Sequence, residues 1–202
     1  MLEEIFNSLA TLFNKNGYRL YIVGGTSRDY LLKRDISDFD FATDATPYQM
    51  KLFLDNGIYT FAKYGTVKLK INNIHVDITT FRKEENYSDY RHPGKIIFTK
   101  NIEEDYLRRD FTINALYIDE NYKIFDFCSG IDDLNNKVIR FIGEPSKRIK
   151  EDPLRILRAK RFAKKLGFTL SSDTKKAIDD NIDLIDKLNP QKVKEELKKF
   201  EK

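Results

Sequence analysis

Two aspartates separated by one residue, Asp38 and Asp40, form the most distinctive chemical pattern in this 202-residue sequence. The segment that contains them predicts a β-strand. Because strand side chains alternate between faces, both carboxylates should point to one side while Phe39 packs inward. Neighbouring carboxylates repel each other unless a cation lies between them, and Mg²⁺ prefers one or two carboxylates plus substrate phosphates. A solvated strand end, or the metal-nucleotide site of a glycosyltransferase, would show the same pair.

A glycine pair, Gly24-Gly25, precedes this strand and follows a short apolar run. Glycines let the backbone approach a ligand closely, and we expect Thr26 or Ser27 to cap the helix that follows. Free N–H groups at the start of a helix attract phosphate. The turn is therefore a candidate phosphate cradle, with Arg28 one helical turn further on. An ordinary turn is the alternative.

A predicted hairpin supplies a third carboxylate. Apolar residues alternate on both sides of Asn72-Asn73, which predicts two strands joined by a two-residue turn. This pattern places His75 and Asp77 on the polar face. Asp77 is a candidate to orient or accept the proton of an attacking hydroxyl, and an exposed strand carboxylate is the alternative.

Arginines dominate two later segments. The first, Arg108-Arg109-Asp110, is either a surface ion pair or a triphosphate clamp, because guanidinium groups match phosphate oxygens in bidentate geometry. In the second, an acid and three arginines recur every three residues on a predicted helix, each about 60° round from the last. These residues are Asp152, Arg155, Arg158 and Arg161.

The first two members of this stripe, Asp152 and Arg155, should be neighbours. A carboxylate accepts a hydrogen bond from an amino group, and a guanidinium donates to a ring nitrogen or carbonyl. Such a couple would accept the pairing edges of cytosine and adenine and would be mismatched with guanine or uracil. Salt bridging on an exposed helix is the alternative.

An α+β fold would position these residues: one small mixed sheet backed by helices over residues 1–142, followed by an all-α segment over 143–202. We predict helices over residues 1–16 and 47–57, a mobile loop over 81–94, and last strands over 115–118, 123–127 and 138–141. Helices are also predicted from residue 153 to Gly167 and on both sides of Asn189-Pro190.

Composition excludes several classes of protein. The chain is 41% hydrophobic and 34% charged, and no apolar run approaches the roughly 20 residues of a membrane span. Cys128 is the only cysteine, so no internal disulfide can form and a cytoplasmic location is expected. The net charge of +4 is unevenly distributed, since residues 143–202 carry 17 basic against 11 acidic residues. This basic segment suits contact with a polyanion such as RNA.

The ordered pattern Gly-Gly-x-x-Arg-Asp, followed nine residues later by Asp-x-Asp, resembles the active-site motif of class II tRNA nucleotidyltransferases and bacterial poly(A) polymerases. These belong to the polymerase-β-like nucleotidyltransferase superfamily. Residues 108–115 are similar to the family's second motif at every defined position. Residues 126–134 resemble its third motif, with Ser129-Gly130 replacing the usual Gly-Gly. Residues 151–158 resemble its nucleotide-recognition motif, Glu-Asp-x-x-Arg-x-x-Arg.

The resemblance implies a nucleotidyltransferase head over residues 1–142 and a helical neck over 143–202. It implies template-independent addition of C and/or A from CTP and ATP to the 3′ end of tRNA, with release of pyrophosphate. Two Mg²⁺ ions would be held by Asp38 and Asp40. The implied nucleotide contacts are Gly24, Gly25, Arg28, Arg109 at the triphosphate, Asp110 near the ribose, Asn114, Asp152, Arg155, Arg158 and Arg161. A loop over residues 81–94 would help switch specificity from C to A, with Asp89 and Arg91 as the nearest matches.

Several alternatives stay open at this point. CCA, A-only, CC-only and poly(A) addition share these motifs. Nucleotidyl transfer to protein, as in compact transferases of the same superfamily, is a second enzymatic alternative. A non-catalytic module that binds CTP, ATP or RNA is a further alternative. Members of the family usually continue into body and tail domains that grip tRNA. Either this chain is a short form with a weak grip on RNA, or a second subunit or a second copy of the chain holds the RNA.

Overall fold

The structure is a computed structural model, and it describes residues 1–87 and 93–200. The α-helices in chain order are α1 Leu2–Lys15, α2 Gly24–Leu31, α3 Pro47–Met50, α4 Ile102–Asp105, α5 Gly130–Asn135, α6 Pro145–Glu151, α7 Leu154–Leu166, α8 Ser172–Asp180 and α9 Pro190–Leu197. The strands are β1 Leu20–Ile22, β2 Asp38–Thr43, β3 Thr66–Ile71, β4 Ile74–Thr80, β5 Arg82–Tyr87, β6 Pro93–Phe98, β7 Leu116–Ile118, β8 Ile124–Asp126, β9 Val138–Ile139 and β10 Thr169–Leu170. Short 3₁₀ turns include Ala62–Tyr64 and Tyr106–Arg108.

The main sheet has six strands in the order β3-β4-β2-β1-β7-β8. It is mixed, because β2 and β4 are parallel while the other neighbouring pairs are antiparallel. The hairpin between β3 and β4 turns at Asn72-Asn73, and both residues have positive φ, at 49° and 66°. Two successive residues of this kind are what a tight type I′ hairpin requires. The predicted mixed sheet and its hairpin are therefore confirmed.

One face of this sheet is covered by α1. Alternate residues of the central strands, among them Phe39, Phe41, Val76 and Ile78, pack into the same core as this helix. Each large side chain buried there contributes about 1.5–3 kcal/mol relative to an exposed position. The helix contributes Ile5, Phe6, Leu9, Ala10 and Phe13. The predicted amphipathic helix is confirmed, and the polar residues of β2, β3 and β4 are left for the opposite face.

The chain divides into two compact units. The first comprises Met1–Lys83, Ile96–Arg108 and Asn114–Phe127, and it contains the main sheet. The second comprises Glu84–Lys95, Arg109–Ile113 and Cys128–Lys202, and it contains α5 to α9. The two units are defined by which residues contact each other. The boundary predicted at residue 142 instead divides the chain by function, and it stays a prediction.

The second unit is mainly helical, and α7 ends at Gly167 as predicted. Phe111 packs against Phe141 with the rings tilted and their centres 4.9 Å apart, and it meets Phe162 of α7 edge-on at 5.7 Å. Leu154, Leu157 and Leu188 form a further buried cluster. The two-residue strand β10 is an addition to the helical segment predicted after residue 142.

Several predicted element boundaries were wrong. Helix α3 begins with a capping box between Thr46 and Gln49 but ends at Met50 and not at Gly57, and successive turns follow it. Strands β5 and β6 pair with each other within the predicted loop over residues 81–94. The predicted last strand over 138–141 is reduced to β9, which pairs with β10 and not with the main sheet.

Across residues 1–87 and 93–200, no helix combines the length and apolar character that crossing a bilayer would require. The predicted loop residues Asp89 and Arg91 lie outside the described residues.

Candidate nucleotidyltransferase site

The paired carboxylates lie where the strand pattern predicts them. Asp38 and Asp40 are exposed on one face of β2, and Phe39 between them is only 3% exposed on the core side. The hydroxyl of Ser37 donates a hydrogen bond to Asp38 Oδ2 at 3.0 Å. The predicted arrangement of both acids on one face is therefore confirmed.

Asp77 lies directly beside this pair. In the parallel register of β2 and β4, Asp77 is the partner of Asp40, and His75 is the partner of Asp38. Asp77 Oδ2 lies 2.6 Å from Lys68 Nζ on β3, where Lys68 and Asp77 are also register partners. A row of charged side chains thus crosses three strands, from Lys68 through Asp77 to Asp40. Whether Asp77 is catalytic stays a prediction.

The glycine turn touches the second carboxylate of the pair. Gly24 has a φ of +72°, and a Cβ atom added to it would lie 3.3 Å from Asp40 Oδ2. A Cβ on Gly25 would lie 3.9 Å from the same oxygen. The absence of a side chain at Gly24 therefore lets the turn approach the Asp40 carboxylate closely.

Thr26 connects the turn to the strand, a function that the sequence analysis missed. Its hydroxyl accepts a hydrogen bond from Asp40 N at 2.8 Å and donates to Asp38 O at 3.2 Å. The prediction that Thr26 or Ser27 caps α2 was wrong, because the helix begins at Gly24 and both residues lie inside it. Ser27 donates instead to Gly24 O at 3.2 Å. A single buried threonine hydroxyl between two strand positions gives no local sequence signal.

Arg28 and Asn114 form a buried polar group within the first unit. Arg28 donates to both carboxylate oxygens of Asp29, at 2.9 and 2.7 Å, and to Asn114 Oδ1 at 2.8 Å. Arg28 is 5% exposed and Asn114 is 6% exposed. The hydrogen bond from Arg28 to Asn114 links α2, which begins at the glycine turn, to the segment before β7. The predicted nucleotide contacts of both residues stay predictions.

The donor set at Asp38 and Asp40 fits Mg²⁺. Two exposed carboxylates on one face supply hard oxygen ligands, and Mg²⁺ in nucleotidyl-transfer sites completes its shell with substrate phosphates and water. Within residues 1–87 and 93–200, no group of three or more acidic, histidine or cysteine side chains converges as a metal site. Asp77, the third carboxylate beside this pair, is instead paired with Lys68.

Asp110 and Arg158 form an ion pair within the second unit. Arg158 Nη2 donates to Asp110 Oδ2, while Asp110 Oδ1 accepts from Phe111 N at 2.8 Å. The nearby Asp110 carboxylate raises the pKa of Arg158. The backbone carbonyl of Arg109 accepts from Arg148 Nη2 at 2.8 Å, and Arg109 is half-buried.

Arg155 is held by a second buried network. Its Nη1 donates to Glu151 Oε2 at 2.9 Å and to Arg148 O at 2.7 Å. Arg148 donates to the same oxygen of Glu151 at 2.5 Å. The guanidinium carbon of Arg155 lies 5.9 Å from the ring centre of Tyr87, and burial raises the pKa of Tyr87. Burial lowers the pKa of Arg148, and neighbouring Arg155 acts in the same direction.

Asp152 and Arg155 are neighbours through the backbone, since Arg155 N donates to Asp152 O at 3.0 Å. Asp152 Oδ1 also accepts from Leu154 N at 3.1 Å, at the start of α7. The pairing of Glu151 with Arg155 was not predicted from the sequence. Its spacing of four residues from Arg155 was the available signal.

Arg161 pairs with an acid from the last helix. Its Nε donates to Glu196 Oε1 at 2.7 Å, and its guanidinium lies 4.3 Å from the ring centre of Phe162. Glu196 is 2% exposed. All three arginines of the predicted stripe therefore have a carboxylate partner in the structure, and their contacts with nucleotide stay predictions.

A mixed sheet that presents adjacent carboxylates beside a glycine turn defines the class of nucleotidyltransferase head domains. A family model described as "Poly A polymerase head domain" matches residues 20–140. The chain therefore belongs to the poly(A) polymerase head-domain family, which confirms the resemblance found in the sequence.

Named relatives agree with this placement. The chain is 41% identical to the CCA-adding enzyme of Staphylococcus epidermidis over 203 residues, covering 99% of this chain and 51% of that enzyme. The Bacillus stearothermophilus CCA-adding enzyme in complex with CTP matches with a TM-score of 0.87 and 36% identity, covering 96% of this chain and 47% of that one. A tRNA nucleotidyltransferase complexed with a primer tRNA and an incoming ATP analog matches with a TM-score of 0.76 and 31% identity, covering 99% and 57%. The chain thus spans about half the length of the curated relatives it matches.

Proposed function

We propose that this chain adds C and/or A from CTP and ATP to the 3′ end of tRNA without a nucleic-acid template, releasing pyrophosphate. The observation that carries the proposal is the exposed Asp38 and Asp40 pair on β2, with the side-chain-free turn at Gly24 against Asp40. The relatives named as CCA-adding enzymes support the reaction, and the complexes of relatives with CTP, an ATP analog and primer tRNA support these substrates.

Nucleotidyltransferases of this family generally depend on Mg²⁺. We propose that Asp38 and Asp40 hold two such ions. When bound, the metal neutralises charge on the triphosphate and lowers the pKa of the attacking hydroxyl. Gly24 and Gly25 leave room for phosphate beside Asp40, because neither carries a Cβ there. Asp77 is the proposed acceptor of the proton from the RNA 3′-hydroxyl, because the register of β2 and β4 places it beside Asp40.

We propose that Asp152 and Arg155 select the base. The rigid placement of Arg155 supports this role, because a guanidinium fixed by Glu151 and by the carbonyl of Arg148 cannot readily turn to suit a mismatched base. Guanine and uracil present a carbonyl where cytosine and adenine present an amino group, so the Asp152 carboxylate would face another acceptor. The other proposed nucleotide contacts are Arg28, Arg109, Asp110, Asn114, Arg158 and Arg161.

We assign catalysis to residues 1–142 and nucleotide recognition with RNA binding to residues 143–202. The basic excess of the second segment supports RNA binding. We expect the protein to act in the cytoplasm, on the grounds of its single cysteine and its proposed tRNA substrate. A contribution to RNA binding from a second subunit stays a prediction.

Removal of either carboxylate of the pair tests the assignment. Asp38→Ala and Asp40→Ala should each abolish nucleotide incorporation while circular dichroism and the thermal unfolding midpoint stay close to wild type, because both side chains are exposed. Asp55→Ala, at an exposed carboxylate away from β2, is the matched control and should keep wild-type incorporation. Retained incorporation in Asp38→Ala or Asp40→Ala would rule out this metal assignment.

The products separate this function from its neighbours. The protein is incubated with Mg²⁺, a tRNA that lacks its 3′ CCA, and each labelled nucleoside triphosphate alone and in pairs. Addition that stops after C, C and A supports the proposal. A long ladder of A supports poly(A) synthesis, the second candidate, which the name of the matched family favours. Label on protein, or nucleotide binding without product, would contradict both.

A further inference from the structure

A cluster of lysines and aromatic rings lies at the β3 edge of the main sheet, where Ile58 forms an antiparallel bridge with Lys68. β3 is an outermost strand of the six, and its residues Lys68 and Lys70 are register partners of Asp77 and His75 on β4. These are the β4 residues beside Asp40 and Asp38. Both lysines therefore lie on the face of the sheet that carries the carboxylate pair.

Two aromatic rings lie close before β3 in the chain, Phe61 directly before the 3₁₀ turn and Tyr64 at its end. Phe61 is 44% exposed, and Lys68 Nζ lies 5.5 Å from its ring centre. Lys63 Nζ lies 4.8 Å from the ring centre of Tyr64. We call Phe61, Lys63, Lys68 and Lys70 the basic edge. Cations that alternate with exposed rings are the usual composition of a surface that binds single-stranded nucleic acid, where rings stack on bases and cations contact phosphates.

The charges of the basic edge suit a polyanion. Lys68 is paired with Asp77, but Lys63 and Lys70 are exposed and have no acidic partner among residues 1–87 and 93–200. Two strand spacings of about 4.8 Å separate β3 from β2, so Lys68 lies about 10 Å from Asp40 and Lys70 about 10 Å from Asp38. That separation suits RNA backbone just upstream of a 3′-hydroxyl placed at the carboxylates.

We propose that the basic edge binds the single-stranded 3′ end of the RNA substrate, with Phe61 stacked on a base and with Lys63 and Lys70 on backbone phosphates. The inference rests on the proposed function, because that function identifies the polyanion as RNA with a reacting 3′-hydroxyl. The basic edge positions the RNA and takes no part in bond formation.

Binding of a fluorescein-labelled single-stranded RNA, followed by anisotropy over a series of KCl concentrations without nucleotide, tests the proposal. For the double variant Lys63→Ala/Lys70→Ala we expect weaker binding and a salt slope smaller by about 1.4, since each phosphate contact on a single strand contributes about 0.7. For Phe61→Ala we expect affinity lower by about 5- to 150-fold with an unchanged slope, and Phe61→Tyr should restore it. In turnover, the double variant should raise KM for RNA without changing KM for CTP.

The opposite edge of the same sheet provides a matched control. Lys123 Nζ lies 5.0 Å from the ring centre of Phe125 on β8, so Lys123→Ala removes a lysine over an aromatic ring away from β3. This variant should bind as wild type does. An unchanged slope and affinity in the double variant would overturn the proposal. If wild-type protein binds RNA through the basic edge but incorporates no nucleotide, the proposed function fails and the surface stands. If wild-type protein incorporates nucleotide but the double variant keeps the wild-type salt slope, the proposed RNA surface is wrong and the proposed function stands.

Discussion

Substitution of Gly24 by alanine tests whether the glycine turn controls the geometry of the carboxylate pair. At this position the backbone has a φ of +72°, and the new methyl group would lie 3.3 Å from Asp40 Oδ2. That distance is shorter than ordinary contact, so either the Asp40 carboxylate or the turn must move by a few tenths of an ångström. The predicted consequence is a loss of activity that exceeds the loss of stability.

The two effects can be estimated separately. Left-handed backbone costs an L-residue about 1–2 kcal/mol. Reduced freedom of the unfolded chain offsets about 0.4–1 kcal/mol of this, so we expect a net loss of about 1 kcal/mol in the free energy of unfolding. In a chain of this length, that loss lowers the unfolding midpoint by about 2–4 °C. Displacement of a reacting group by about 1 Å can reduce catalysis about 100-fold, so a smaller shift of Asp40 should reduce kcat by roughly 10-fold.

Gly17 provides the matched control for backbone strain. It has a φ of +80°, but a Cβ there would have no atom within 4 Å. Gly17→Ala should therefore lose the same stability as Gly24→Ala and keep wild-type kcat. Gly25→Ala, whose Cβ would make only ordinary contacts at 3.6 and 3.9 Å, should keep wild-type stability but raise KM for CTP, because the methyl group takes up the room proposed for phosphate.

The assay combines thermal unfolding with steady-state incorporation of CTP at several Mg²⁺ concentrations. Gly24→Ala should also need more Mg²⁺ for half-maximal rate, because the displaced Asp40 is a proposed ligand. Equal kcat and equal Mg²⁺ requirement in Gly24→Ala and Gly17→Ala would refute the reasoning, since the two variants would then differ only in a contact without consequence.

Two further predictions concern the ion pairs of the second unit. Glu151→Gln should lower the free energy of unfolding by about 2–4 kcal/mol, because it leaves the buried guanidinium groups of Arg148 and Arg155 without their shared carboxylate. The control Glu195→Gln, at an exposed ion pair, should lower it by less than about 1 kcal/mol. Similar losses for the two variants in urea unfolding would contradict the buried network. Burial raises the pKa of Glu196, but hydrogen bonds from Lys199 and Arg161 outweigh it and hold that pKa below its usual value of 4.5. The stabilisation is therefore present above pH 4.5 and is lost as pH falls through the lower folded-state pKa, so the difference in unfolding free energy between wild type and Glu196→Gln should shrink with acidification. A difference that is independent of pH would show that the carboxylate charge contributes nothing.

Local patterns were sufficient to predict the carboxylate strand and the hairpin. The alternation of Asp38, Phe39 and Asp40 follows from the geometry of any strand that packs one face against a core. The Asn72-Asn73 turn follows from the tolerance of asparagine for positive φ. These features depend on residues close in sequence, so the sequence contains all the information that they need.

Long-range partners could not be predicted in the same way. The Thr26 hydroxyl meets residues 12 and 14 positions away, and the Arg161 side chain meets Glu196, 35 positions away. Strand β5 was not predicted, because its residues, Arg-Lys-Glu-Glu-Asn-Tyr, lack the alternation of apolar and polar side chains. It is a strand because its backbone pairs with β6. Tertiary pairing overrides local preference in each case.

The register of two parallel strands is the feature on which the third carboxylate depends. Because β2 and β4 are separated along the chain by α3 and β3, no turn geometry fixes their alignment. The core fixes it instead, since Phe39 and Phe41 of β2 align with Val76 and Ile78 of β4 on the buried face. A slip of one residue would carry these side chains out of the core and turn Asp77 into it. Burial of this apolar face therefore also places Asp77 beside Asp40. A substitution that weakens the packing of Val76 or Ile78 should therefore displace Asp77, although both substituted residues lie on the opposite face of the sheet.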